Sequence, residues 1–492
     1  MRDLKERTIR GGFAKVCAQG ASFLLRVGSL MVLARLLEPK DFGLVGMVTA
    51  VIGVLNLFRD FGLSTAAVQR TSVTDEQSST LFWINILVGS LLAFLSFAIA
   101  PFVARFYHEP RLYWVTIALA AGFILNAAGV QHGALLQRQM RFTALASIDI
   151  FALTVSTILG VVMAIRGYGY WSLVGMTLMG PLVGTVCVWM VARWVPGKPR
   201  RQVGTGSMMR FGGTITLNGL VVYVAYNLEK VLLGRYWGAD VVGIYGRAYQ
   251  LSNIPTENLN SSVGGVVFSA LSRLQDDPQR LKSYFLKGYS LVLALTLPIT
   301  LLSALFANDT ILVFLGPKWR EAIPIFRLLA PTILIFAMIN PFAWLLFAIG
   351  QVGRSLKIAL VIAPIVITGY VIGLPYGPKG VALGYSTAMA LWVVPHIVWC
   401  VRGTVISFRD ILRTLSQPLL SSIVAAAPPF ALQFFYGQWL SPLPRLLIGG
   451  TIFVSVYLGM LLHVMGQKAF YLDLLRGLIS RSSVKDEVLV SA

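Results

Sequence analysis

Along the chain, apolar runs long enough to cross a bilayer alternate with short polar gaps. The runs lie at 13–34, 42–58, 81–104, 112–136, 145–165, 170–192, 212–234, 243–268, 284–306, 322–349, 356–374, 380–400, 418–438 and 442–465. A helix needs about 17–25 apolar residues to cross, so each run reads as one membrane-spanning helix and the pattern predicts fourteen. No gap is long enough for a folded domain. The expected fold is therefore all-α and polytopic.

The polar gaps differ in charge. Of the 41 lysines and arginines, 27 fall in the two termini and the even gaps or in the span ends that adjoin them, 10 in the odd gaps or the span ends that adjoin them, and Arg26, Lys230, Arg247 and Arg327 further inside the spans. Cytoplasmic loops carry the cationic excess, so both termini are expected on the cytoplasmic side of the membrane. The densest clusters, Arg193 to Arg210 and Arg273 to Lys287, then lie beside anionic lipid headgroups. The formal net charge of +21 is accounted for by orientation, and nucleic acid is a poor explanation of it. With 12% charged and 56% hydrophobic residues, a soluble domain of 492 residues is excluded. The charged opening, Met1 to Arg10, does not read as a cleaved leader.

The second half echoes the first at an offset of about 200 residues. Val32 to Gly46 matches Leu232 to Gly246, with Arg35 on Arg235, Gly43 on Gly243 and Gly46 on Gly246; Trp171 to Gly175 resembles Gly380 to Gly384. The echo predicts two six-span units in the same orientation, residues 1–193 and 212–401, joined by a cytoplasmic loop at 194–211. A linker at 402–417, two appended spans at 418–465 and a cytoplasmic tail at 466–492 complete the organisation. Gly43, Gly46, Gly243 and Gly246 give a bare strip on the second helix of each unit, where helices can approach closely. Prolines at 255, 324, 331, 341, 364, 395, 428 and 429 make the second half the better candidate for bending.

Charges inside the spans cost several kcal/mol unless they face water or a partner, which makes them candidate functional residues. Arg26 lies in the body of span one, where it either faces the interior or snorkels to the surface. Glu229 and Lys230 are adjacent in span seven and point about 100 degrees apart, so at least one needs another partner. Arg59 and Asp60 end span two, Arg247 enters span eight, Arg327 lies in span ten and His132 in the polar patch of span four. The candidate cleft is net cationic, with Arg26, Arg59, His132, Lys230, Arg247 and Arg327 as substrate-binding residues. Asp60, Glu229 and Glu257 are candidates for coupling or ion pairing. Such a cleft suits an anion, and the Arg fork matches phosphate oxygens. Tyr223, Tyr226, Tyr245, Tyr249, Trp344 and Trp392 are candidates for stacking on sugar rings, although aromatic belts account for most tryptophans. Cys17, Cys187 and Cys400 are widely separated and the four histidines scattered, so no disulfide framework, metal site or cofactor is signalled. Gly204 to Gly206 lack the lysine and the strand–turn–helix context of a nucleotide loop.

Gly11 to Val16, Leu33 to Met47, Phe58 to Arg70, Gly167 to Gly175 and Asn227 to Tyr245 together resemble the bacterial polysaccharide transporters, of the colanic acid exporter type of lipid-linked oligosaccharide flippase. The resemblance covers residues 5–465 and implies membership of the multidrug, oligosaccharidyl-lipid and polysaccharide exporter superfamily. It implies two six-helix bundles in a V around a central cavity, plus two further helices. It also implies transfer of an undecaprenyl-pyrophosphate-linked oligosaccharide from the cytoplasmic to the periplasmic leaflet of the bacterial inner membrane. Arg26 is similar in position to the cationic residue that meets the lipid pyrophosphate in related flippases. A monomer that works in membrane lipid beside a glycan polymerase or export machinery, with no enzymatic activity of its own, is the expected arrangement. Two alternatives stand beside it: a cation-coupled drug or metabolite exporter of the same superfamily, and a membrane glycan polymerase or ligase. The latter needs a sizeable external loop that no odd gap supplies.

Overall fold

The computed structural model describes residues 2–59, 74–199, 219–436 and 440–472, and the side chains of these except 2–18, 258–263, 265, 266, 269 and 352. Every regular element among them is helical. In chain order they are α1 (Arg2–Leu36), α2 (Pro39–Asn56), α3 (Asp75–Tyr107), α4 (Arg111–Arg138), α5 (Phe142–Ile165), α6 (Trp171–Ala192), α7 (Leu228–Ser272), α8 (Pro278–Leu305), α9 (Ala307–Phe314), α10 (Ala322–Ala348), α11 (Val352–Gly373), α12 (Gly377–Val401), α13 (Phe408–Tyr436) and α14 (Pro442–Gly459). Among the described residues, nine stretches are long and apolar enough to cross a membrane. One of them, Gly353–Val401, takes in both α11 and α12. The protein is thus an all-helical multi-pass membrane protein.

The chain groups into two compact units. The first comprises residues 1–246 with 314–319, and the second 247–313 with 320–492. The division falls within α7, after a break at Gly238, whose φ of 85° is a backbone state open to glycine at little cost. Spans seven and eight of the sequence reading are therefore joined by a single-residue kink.

In the first unit α3 packs on α4, α4 and α5 on α6, and α1 on α5. α3 begins on a reciprocal cap: Thr74 Oγ1 accepts from the Gln77 amide at 3.2 Å, and the Gln77 side chain accepts from the Thr74 amide at 3.1 Å. α2 crosses the opening part of α7 at a distance set by glycine. A Cβ on Gly43 would collide with the Ala239 carbonyl, and one on Gly243 with the Pro39 carbonyl. Gly46 has only the Val242 side chain near it, at 3.3 Å, and Gly246 has nothing within 4 Å. Two members of the predicted strip are thus required for contact and two are not. Tyr223 fixes the neighbouring helical turn to α2, its hydroxyl donating to the Thr49 and Ala50 carbonyls at 3.0 and 3.3 Å.

Residues 314–319 lie far along the chain yet belong to the first unit. Trp319 is fully buried, donates Nε1–H to the Ala34 carbonyl at 2.8 Å and meets Phe42 edge-on at 5.4 Å. Lys318 pairs with Glu38 at 2.6 Å.

In the second unit α10 packs on α8 and α12, α11 on α12, and α13 on α8 and α14. The α11–α12 hairpin is a glycine seam: a Cβ on Gly369 would lie 2.6 Å from the Gly384 carbonyl, and Gly373 and Gly380 press equally on each other's backbone. α14 joins the unit through a core of Ala294, Ala425, Phe453, Tyr457 and Leu461, with the Tyr457 hydroxyl donating to the Ala294 carbonyl at 2.7 Å. A buried ion pair adds to this, Arg445 Nε donating to Asp309 Oδ2 at 2.9 Å while Nη2 meets Oδ1.

Candidate functional site

Helix α1 opens on a charged stretch and turns mostly apolar after Phe13, and Arg26 lies in the body of that apolar part. The side chain is exposed, as is that of Phe23 one turn before it. The face they share is therefore not packed against the first unit. On α5, which packs against α1, Asp149 is also exposed and lies within electrostatic reach of Arg26. Asp149 is a further candidate that the sequence reading did not name. It lies within the run 145–165 and was there to be found by the same rule that picked out Arg26, an ionisable group inside a span.

Around Glu229 and Lys230 the structure resolves the expectation that adjacent charges look apart. Lys230 Nζ donates to Asn227 Oδ1 at 2.8 Å, one turn back, whereas the Glu229 side chain is completely buried. Arg59 lies half-buried just past the end of α2. Its neighbour Asp60 lies outside the described residues.

His132 is placed in a different environment from the exposed cations. Its ring is fully buried, stacks on Trp189 with centroids 4.2 Å apart and meets Trp194 and Phe82 edge-on at 5.1 and 5.9 Å. Nε2 lies 3.1 Å from the Trp194 carbonyl, so the tautomer protonated at Nε2 donates there. The cluster receives the chain leaving α6: Trp83 donates to the Gly197 carbonyl at 2.8 Å, and the Gly197 amide to Ser79 Oγ at 2.9 Å. These contacts give His132 an anchoring position at this end of the unit.

Three candidates belong to the second unit. Arg247 is half-buried and its guanidinium donates to Gln250 Oε1 one turn on. Glu257 and Arg327 are exposed. Of the candidate sugar-stacking rings, Tyr245 and Trp392 are buried, Tyr249 packs towards Tyr385 with centroids 6.0 Å apart, and Trp344 covers Gly264. Tyr223 is engaged with α2 as described, and Tyr226 is half-buried. Packing accounts for most of this aromatic set.

Ion pairs outside the spans behave conventionally. Arg111 grips Glu109 with two bonds of 2.8 Å, which holds the Glu109 carboxyl below its ordinary range. Lys282 of α8 meets Asp410 of α13 at 2.7 Å, and together with the Ser407 amide and hydroxyl it pulls the Asp410 pKa down to about 2. Among the described residues no group of three His, Cys, Asp or Glu side chains is arranged to hold a metal ion.

Known proteins supply the remaining comparison. The lipopolysaccharide biosynthesis protein WzxC of Escherichia coli (strain K12) is 26% identical over 439 residues, covering 87% of this chain and 88% of its own. The succinoglycan biosynthesis transport protein ExoT of Rhizobium meliloti (strain 1021) is 24% identical over 449 residues, 90% of each chain. Among solved structures, an inward closed conformation of the lipid II flippase MurJ superposes with a TM-score of 0.76 at 15% identity, over 94% of this chain and 99% of that one. An inward-facing multidrug resistance transporter of the MATE family superposes with a TM-score of 0.61 at 14% identity, over 82% and 99%. These two structures share the fold. Residues 32–324 match the family model described as polysaccharide biosynthesis protein, and the chain belongs to that family.

Proposed function

We propose that this protein carries a lipid-linked oligosaccharide, with undecaprenyl pyrophosphate as the lipid, from the cytoplasmic to the periplasmic leaflet of the bacterial inner membrane for surface polysaccharide assembly. A diphosphate bearing sugars cannot cross hydrocarbon bare. A membrane protein that moves it must offer cations inside the spans and a route for the lipid tail.

The observation that carries the reading is Arg26, a guanidinium exposed on the helix read as span one, with Asp149 within its electrostatic reach. An unburied arginine at that depth is costly unless it faces water or an anion, and pyrophosphate supplies the anion. Lys230, Arg247, Arg59 and Arg327 extend the same sign, with Asp60, Glu229 and Glu257 as candidates for coupling or ion pairing. Membership of a polysaccharide biosynthesis family and likeness to a transport protein of succinoglycan biosynthesis support the choice of cargo. We read the chain as two six-span repeats, 1–193 and 212–401, with both termini cytoplasmic and the protein working as a monomer by alternating access.

Depletion of the protein is expected to trap lipid-linked oligosaccharide in the cytoplasmic leaflet, scored by leaflet-selective labelling of the sugar. Arg26→Ala is expected to abolish surface glycan at normal protein level, and Arg26→Lys to retain part of it. Full export by R26A removes Arg26 from the site. Intact glycan in a depleted strain that becomes hypersensitive to drugs replaces the cargo with an organic cation.

A further inference from the structure

A cavity in the second unit is lined by none of the candidate residues named above. It holds about 900 Å³, at the upper end of the roughly 300–1,000 Å³ typical of ligand sites, and is bounded by α11 and α12 with Leu328 of α10 behind. Its floor is the glycine seam. Because Gly369, Gly373, Gly380 and Gly384 have no side chains, the two helices meet backbone to backbone and a trough is left along the join. Its walls are apolar and unburied: Ile372 is 66% exposed and Leu391 72%. In a chain that spans a membrane, such a wall faces hydrocarbon.

One end of the trough differs in chemistry. Lys379, its one charged lining residue, and Tyr376, 78% exposed, sit together at the turn between α11 and α12. From Lys379 to Leu391 is twelve residues of helix, or about 18 Å at 1.5 Å per residue. The hydrocarbon core of a bilayer is about 30 Å thick, so the trough is about one leaflet deep. A cationic and aromatic end sitting over an apolar slot of that depth matches a lipid with its phosphate at the amine and its chains along the glycines.

We infer that the α11–α12 groove is a binding site for an anionic bilayer phospholipid, held by Lys379 at the headgroup and by the glycine-floored slot along the chains. The one-leaflet depth favours a phospholipid over a polyprenyl carrier, whose chain is much longer than the slot. The site is separate from Arg26, so its test does not depend on the cargo proposed above.

The full chain, purified in detergent, is titrated with phosphatidylglycerol, phosphatidylcholine or undecaprenyl phosphate, and bound lipid is counted by native mass spectrometry. Wild type is expected to retain phosphatidylglycerol in preference to phosphatidylcholine. Lys379→Gln is expected to reduce phosphatidylglycerol retention about fivefold, the effect of one lysine near a lipid phosphate, without changing phosphatidylcholine. Thr387→Trp, placed on an exposed lining residue one turn past Gly384, is expected to fill the slot and reduce both phospholipids. Lys379 and Thr387 are both exposed, so these variants leave the packing intact. Equal retention of phosphatidylglycerol by wild type and K379Q overturns the headgroup assignment, and unchanged retention by T387W overturns the slot. Undecaprenyl phosphate outcompeting phosphatidylglycerol in wild type, with the preference lost in K379Q, replaces the phospholipid with the carrier lipid.

Discussion

Two glycine seams hold this molecule's helices at backbone distance, and they leave different surroundings. In the first unit α2 crosses the start of α7 with Gly43 and Gly243 as its points of contact, and packed groups lie nearby: Phe42 on buried Trp319, Tyr223 on the α2 carbonyls. In the second unit α11 and α12 run together over four glycines, and the seam is left as the floor of an apolar trough. Helices in lipid gain no hydrophobic energy by meeting, so each seam rests on close packing. In the first unit glycine serves packing alone, and in the second it also leaves a space that a side chain would fill.

The largest effects are expected at the seams themselves. Gly243→Ala and Gly384→Ala each place a methyl group inside a backbone carbonyl, where neither side can yield by a rotamer change. The cost is expected at or above the top of the roughly 1–3 kcal/mol range for overpacking, read as loss of thermal stability in detergent. Gly246→Ala is the control, since nothing lies within 4 Å of the added carbon. It is expected to be neutral or to stabilise by up to about 1 kcal/mol through helix propensity. Similar melting of G246A and G243A would show that the first seam is not set by contact.

A second contrast separates the ion pairs of the two units. Asp309 is completely buried against Arg445, whereas Glu38 and Lys318 meet at the surface. Asp309→Asn leaves a buried guanidinium short of its countercharge and is expected to cost about 3–5 kcal/mol, loosening α14 from α9. Lys318→Gln is expected to cost below about 1 kcal/mol, because Trp319 holds the same segment without it. Thermal melts of the two variants, with proteolysis of the α13–α14 hairpin as a local readout, check both. A larger loss from K318Q would transfer the anchoring role from the indole to the ion pair.

The sequence made some of this legible and hid the rest for identifiable reasons. Hydropathy alone identifies an all-helical membrane protein, because unsatisfied backbone in lipid permits little else. It also locates Arg26, since an arginine amid leucines stands out locally. It does not separate Gly43 from Gly46, as the spacing gives a strip whereas the crossing geometry decides which members touch. The sequence shows His132 as a polar residue in span four; that Trp189 and Trp194 enclose it depends on chain about 60 residues away. Asp149 went unnamed because its nearness to Arg26 arises only from the packing of α1 on α5. Trp319, 285 residues beyond its acceptor Ala34, carries no local signal of its place in the first unit.

The smallest expected effect concerns the starts of α8 and α13, where the second unit is joined by a half-buried pair at the surface. Asp410 has its pKa drawn to about 2, first by the Lys282 amine and then by Ser407, from an ordinary value near 4. A carboxyl depressed on folding stabilises the native state above its unfolded pKa, and that contribution disappears as pH falls from about 4 through 2. Because the pair is solvent-screened, the contribution is expected below about 1 kcal/mol. Melts of wild type and Asp410→Asn should therefore differ slightly at pH 6 and converge by pH 2. A difference that persists at low pH would assign the role of Asp410 to its helix-capping bonds with Ser407, and the joint would then be held by local backbone geometry, as at Thr74 in the first unit.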